Sequence, residues 1–210
     1  MEQVKQFKKY AYLALMFAPL VVSLFVVWFL PETIVSRMDL AGNVTATASR
    51  FSIFIFPILV AILGFAIRVA SSSPKLTGGN VRTARSISWI LLLLLNVIAY
   101  FQFWLYLGGM TAGAQMSRFI TFIFGVFFIL IGNLAPKIKE NSKHFGFRAS
   151  WLKNNDAAFR KTQRFFGIAS VVAGVLMMLT GIFMGNNVAI LVATMIMIIL
   201  IAVTGGYSYY

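Results

Sequence analysis

The chain has 210 residues, no cysteine and one histidine, His144, which excludes disulfides, thiolate catalysis and a histidine metal cluster. Apolar residues make up 60 %, mean hydropathy is +0.87 and only 11 % of the residues are charged, so a soluble fold of this size would lack polar surface and lipid must be the solvent. A formal net charge of +13 would suggest nucleic acid for a soluble protein, but the positive residues avoid the apolar runs and gather in particular connections, so the charge reads as topology and no direct nucleic-acid contact is expected.

Crossing a hydrocarbon core of about 30 Å at about 1.5 Å per residue takes roughly 20 apolar residues. Six runs free of Asp, Glu, Lys, Arg and His approach that length, at 11–30, 51–67, 88–107, 119–134, 165–184 and 188–207. They predict an all-α integral membrane protein, a single membrane domain over 1–210 built as a bundle of about six transmembrane helices. The first run follows Lys5, Lys8 and Lys9, as in a signal peptide, but it lacks a small-residue cleavage pattern and reads as an uncleaved helix. The segment 31–50 that follows, PETIVSRMDLAGNVTATASR, holds Arg37, Asp39 and Gly42. Gly42 before Asn43 suggests a turn. Arg37 and Asp39 are available to something arriving from outside, although a solvated loop is the default and an exposed ion pair is worth little.

The second and fourth runs share a pattern: 49–64 reads SRFSIFIFPILVAILG and 117–132 reads SRFITFIFGVFFILIG. A duplicated helical hairpin and a shared Phe and Ile composition explain this equally well. In the third run Asn96 and Gln102 are the most polar residues at membrane depth. Such amides usually hydrogen-bond neighbouring helices and less often line a path. In the fifth run Gly167, Gly174 and Gly181 recur every seven residues, opening a seam for close helix approach that reads as intramolecular rather than self-associating. The fifth and sixth runs are separated by Gly185, Asn186 and Asn187, a tight hairpin.

Fifteen of the 18 Lys and Arg residues lie at the amino terminus, between the second and third runs, or between the fourth and fifth. Only Arg37, Arg50 and Arg118 fall on the other side. The positive-inside rule therefore places both termini in the cytoplasm. Aromatic residues at the ends of the runs, Trp28, Trp104 and Tyr106 on one side and Tyr10, Trp89 and Tyr207 on the other, suit interfacial anchors. The five acids, Glu2, Glu32, Asp39, Glu140 and Asp156, all lie outside the runs. Proton relays, cation-coupled carriers and charge-sensing helices need intramembrane charge, so none of these is expected. No zinc-protease helix, phosphate loop or carboxylate pair is present, and neither an enzyme nor a cofactor is expected.

The segment 132–167, GNLAPKIKENSKHFGFRASWLKNNDAAFRKTQRFFG, is the richest polar stretch. Pro136 ends the fourth helix, and Asn155 or Asp156 can cap the fifth. Phe145, Phe147 and Trp151 alternate with Lys143, Arg148 and Lys153, which suits an amphipathic stretch on anionic lipid or a docking surface for a cytoplasmic protein. Fixing the topology alone explains the same pattern and is favoured on composition.

This segment resembles the signature of the SdpI family of bacterial membrane proteins. Gly132, Asn133, Pro136, Lys137, Asn141, Gly146, Arg148, Trp151, Lys161, Thr162, Arg164 and Gly167 occupy the signature's places in order. Pro31, Ile34, Gly42, Ser49, Arg50 and Pro57 are similar to the domain that usually precedes it. Three positions depart from the signature: Gln163 stands where the family usually has histidine, Phe159 for an upstream Trp, and Ser150 for a Pro. In the earlier segment Arg37 and Asp39 replace a His and an Asn. Any histidine chemistry of relatives therefore does not carry over. The resemblance implies a non-enzymatic plasma-membrane immunity protein. Its implied partners are membrane lipids, an extracellular toxic peptide and a cytoplasmic transcriptional repressor. The rival readings from the residues are a small transporter or channel with a neutral path at Asn96 and Gln102, and a lipid-interacting accessory subunit.

Overall fold

In hydrocarbon no water satisfies a backbone N–H or C=O, so each apolar run must close its own hydrogen bonds as a helix. The computed structural model describes residues 2–38, 44–72, 79–108, 112–138, 147, 149, 152 and 155–209. It contains α1 (Glu2–Val26), α2 (Ile55–Ser71), α3 (Gly79–Leu107), α4 (Ala112–Leu134), α5 (Asp156–Phe183) and α6 (Asn186–Tyr209). Six helical spans among the described residues are long and apolar enough to cross a membrane, and the protein is a multi-pass, predominantly helical membrane protein, with the six spans that the sequence predicts.

Several helices outrun their apolar cores. α1 takes in Lys5, Lys8 and Lys9, and α5 begins nine residues before the uncharged run, so Arg160, Lys161 and Arg164 are helical. α4 stops at Leu134, just before the Ala135–Lys137 turn that contains Pro136. Asn155 is the residue that caps α5: its Oδ1 accepts the Ala158 N–H at 3.0 Å.

The segment between α1 and α2 carries structure that the sequence reading treated as a loop. β1 (Thr33–Met38) and β2 (Val44–Ser49) pair antiparallel, from Thr33 opposite Ser49 to Met38 opposite Val44, with irregularities around Arg37. The predicted turn at Gly42 and Asn43 lies outside the described residues. The signal for the strands was present, since Thr, Val and Ile are rich on either side of a Gly-Asn pair.

The chain divides into two compact units. The first comprises Met1–Val69 and Ser88–Gly113. Its centre is the cluster of Tyr12, Met16, Val60 and Leu92. The Tyr12 hydroxyl donates to the Gly64 carbonyl at 3.0 Å, its ring meets Trp89 edge-on at 5.3 Å, and the Arg68 guanidinium lies 5.4 Å from the ring centroid. One aromatic side chain thereby ties α1 to both α2 and α3. A second cluster of Val26, Val27, Leu30, Ile34, Ile53 and Phe103 seats the hairpin on the helices through Ile34. The Arg50 amide donates to the Glu32 carbonyl at 2.9 Å, which closes the base of the hairpin. The Arg50 guanidinium lies 5.8 Å from the Trp28 ring and 5.6 Å from that of Phe51.

The second unit comprises Ala70–Ile87 and Ala114–Tyr210 and contains α4, α5 and α6. α5 and α6 form an antiparallel pair joined by Met184 and Gly185, where the Met184 N–H returns to Thr180 O at 3.0 Å and the Ala189 N–H to Gly185 O at 2.9 Å. At their far ends Phe165 stacks on Tyr207 with centroids 4.1 Å apart.

Candidate functional site

The second unit holds the described part of the signature, and its geometry starts from glycine. A Cβ built on Gly132 would lie 2.6 Å from Gly167 O, and one on Gly125 would lie 2.6 Å from Gly174 O. The reverse contacts are as tight: from Gly167 to Gly132 O is 2.8 Å, and from Gly174 to Gly125 O is 2.5 Å. α4 and α5 therefore touch backbone to backbone, at two levels seven residues apart on each helix. This repeat of near two turns keeps one seam in register along an antiparallel pair.

One further heptad along, Gly181 faces Arg118, with a built Cβ 2.9 Å from Arg118 O. The Arg118 side chain turns to the end of α5, donating from Nε to Gly181 O at 3.2 Å and from Nη2 to Ile182 O at 2.6 Å. Those carbonyls belong to the last turn of α5, which has no intrahelical donors to offer them, and a cation there also complements the helix dipole. The expected intramolecular glycine seam is thus found. The sequence reading missed Gly125 as its partner and missed the cap by Arg118. The seven-residue spacing of Gly125 and Gly132 was the available signal.

At the opposite end of the seam, Pro136 sits against Gly167, whose built Cβ would be 2.9 Å from the proline Cδ and Cγ. Gln163 lies one turn before Gly167 and is 1 % exposed. Its Nε2 donates to Phe147 O at 2.7 Å, and its Oε1 has no hydrogen-bond partner among the described residues. The Phe147 ring packs against Phe166 with centroids 6.0 Å apart, and its Cζ lies 4.0 Å from a Cβ built on Gly205 of α6, so this residue sits against α5 and beside α6. A residue noted for its departure from the signature is thus a structural tie between the 132–167 segment and α5.

The remaining signature residues divide by exposure. Gly132 and Thr162 are buried, and the Thr162 hydroxyl donates to Ala158 O at 2.9 Å on its own helix. Asn133, Pro136, Lys137, Lys161 and Arg164 are exposed. Asn141, Gly146, Arg148 and Trp151 lie outside the described residues, as do Asp39 and Gly42 of the hairpin segment; Arg37 is exposed on β1. The structure therefore brings Gly132, Pro136 and Gly167 into contact, sets the buried Gln163 one turn earlier on α5, and leaves the described cations exposed.

Among the described residues no cluster of His, Asp and Glu suits a metal ion. Asn96 donates to Leu92 O at 2.9 Å and Gln102 to the Tyr106 hydroxyl at 3.1 Å, both within α3. The two similar segments, 49–64 and 117–132, fall one in each unit. Their matched glycines, Gly64 and Gly132, both face a neighbouring helix, but Gly64 meets the Met16 and Leu92 side chains where Gly132 meets backbone.

Residues 14–61 match the Domain of unknown function (DUF1648), and residues 137–208 match the SdpI/YfhL protein family. The second match begins just after Gly132, Asn133 and Pro136 and runs through α5 and nearly all of α6. No curated protein and no solved structure matches the chain. The α5 side of the α4–α5 seam, with Gln163 and Gly167, thus falls within the part of the chain that is similar to the SdpI/YfhL protein family.

Proposed function

We propose that this protein is a non-enzymatic immunity protein of the bacterial plasma membrane, protecting its host against a secreted, membrane-active peptide. The observation that carries this reading is the family match over residues 137–208, since such a match is consistent with membrane immunity. The charge asymmetry supports a cytoplasmic amino terminus, which puts the β1–β2 hairpin outside. There the hairpin suits first contact with a peptide. β2 carries neither charge nor proline, its described side chains are exposed or half-exposed, and among the described residues only β1 pairs with it. A strand edge lacking those blunting devices offers unpaired N–H and C=O groups to an extended chain.

The segment 135–164, then cytoplasmic, is the place for a transcriptional repressor to dock, and Arg37 and Asp39 are the proposed hairpin contacts with the peptide. The signalling step requires the peptide to favour one of two arrangements of the protein, since a ligand shifts an equilibrium only by its differential affinity. A neutral solute path is less well supported, because Asn96 and Gln102 spend their amide donors within their own helix.

Reconstituted vesicles separate these readings. Vesicles containing the protein should leak trapped dye at several-fold higher peptide concentration than empty ones, and should show no solute flux without peptide. Specific solute flux, with unchanged peptide leakage, contradicts the immunity reading.

A further inference from the structure

We propose that Lys161 and Arg164 bind the phosphates of anionic phospholipids in the leaflet at the start of α5, so that within the 135–164 segment these two cations serve the bilayer and leave the rest of it to a docked protein. The inference does not depend on the immunity reading. It starts from which way α5 faces. Its buried side carries Phe159, Thr162, Gln163, Gly167, Ser170, Gly174 and Met177. Its other side is an apolar stripe open to the surroundings, with Ile168 68 %, Val172 55 % and Phe183 79 % exposed. On a spanning helix such a stripe meets acyl chains.

At about 100° per residue, Lys161 projects within about 20° of Ile168, Val172 and Leu179, and Arg164 lies about 60° from Lys161 and about 40° from Ile168, its i+4 neighbour on the same face. Both side chains are exposed. At about 1.5 Å per residue Arg164 lies roughly 6 Å and Lys161 roughly 10 Å beyond Ile168 along the axis. Long cationic side chains at that depth extend along the apolar surface and put their heads at the phosphate layer.

Charge selects the occupant. Arg160, Lys161 and Arg164 fall in the first nine residues of α5, with Lys137 just beyond α4, whereas Asp156 is the one described acid in α5. Arg160 and Arg164 stand at i,i+4 and Lys161 and Arg164 at i,i+3, so these like charges repel one another unless an anion faces them. An anionic headgroup arrives from the side to which the stripe points. An acidic cytoplasmic protein would have to enter the bilayer to reach the same face.

The test uses the full chain in nanodiscs of phosphatidylcholine doped with phosphatidylglycerol, reading bound lipid by native mass spectrometry. The wild type should retain phosphatidylglycerol several-fold over phosphatidylcholine. The double variant Lys161→Gln/Arg164→Gln should lose most of that preference, while Lys161→Arg/Arg164→Lys and Arg37→Gln should keep it. Since the chain has no cysteine, a spin label at Lys161→Cys gives a second, independent measure of depth. Collision with oxygen and with a water-soluble nickel reagent should place it at the headgroup level. Equal retention of the two lipids, preference surviving in the double variant, a label in bulk water, or loss of binding to a soluble polyglutamate probe with lipid preference intact each overturns the proposal.

Discussion

Gln163 shows how one side chain links the signature to the fold. Buried at 1 % exposure, it holds Phe147 O at 2.7 Å. Gln163→Leu leaves that carbonyl without its donor and is expected to cost about 1–3 kcal/mol, read as a lower denaturation temperature in detergent. Gln163→His keeps a ring N–H within reach and should lose less; equal losses would show that the contact is not what Gln163 supplies. The sequence showed only that Gln163 cannot titrate as histidine does. It did not show burial, because a polar residue among Arg160, Lys161 and Arg164 reads as solvated until the helix face is known.

At the scale of the element, the α4–α5 seam and the α1–α2–α3 cluster make opposite demands on their glycines. Gly174→Ala sets a methyl 2.5 Å from Gly125 O, a backbone atom that cannot move alone. Separating the helices to admit it should cost about 1–3 kcal/mol. Gly64→Ala meets the Met16 side chain, with Cγ at 2.8 Å, and methionine can change rotamer. It should cost less than about 1 kcal/mol, and comparable melting shifts for the two variants would contradict this contrast. Arg118→Ala should remove about 1 kcal/mol by exposing the last carbonyls of α5, with Arg118→Lys partly restoring it; protection of the amides near 181–185 from hydrogen exchange reports the change. The heptad glycines of α5 were legible because small residues stand out in an apolar run. The partner helix was not, since pairing between helices is a tertiary fact that a single periodicity leaves open.

Across the whole molecule, hydropathy alone set the six-helix architecture, because the bilayer permits few other structures for such runs. Helix ends were less legible: the charged start of α5 continues a helix that the apolar count began at 165. The hairpin was passed over because a count of membrane-length apolar runs does not register six-residue strands, although their Thr, Val and Ile content carried the signal. The topology is open to direct test in a chain without native cysteine. A membrane-impermeant thiol reagent applied to intact cells should label Thr47→Cys and spare Lys9→Cys, and the reverse pattern would invert the proposed orientation. Protection itself is read most directly in a sensitive bacterium challenged with candidate peptides encoded beside this gene. Cells making the wild-type chain should survive peptide concentrations at least several-fold above those that kill cells lacking it; identical killing curves with and without the protein, at verified membrane expression, would contradict the account.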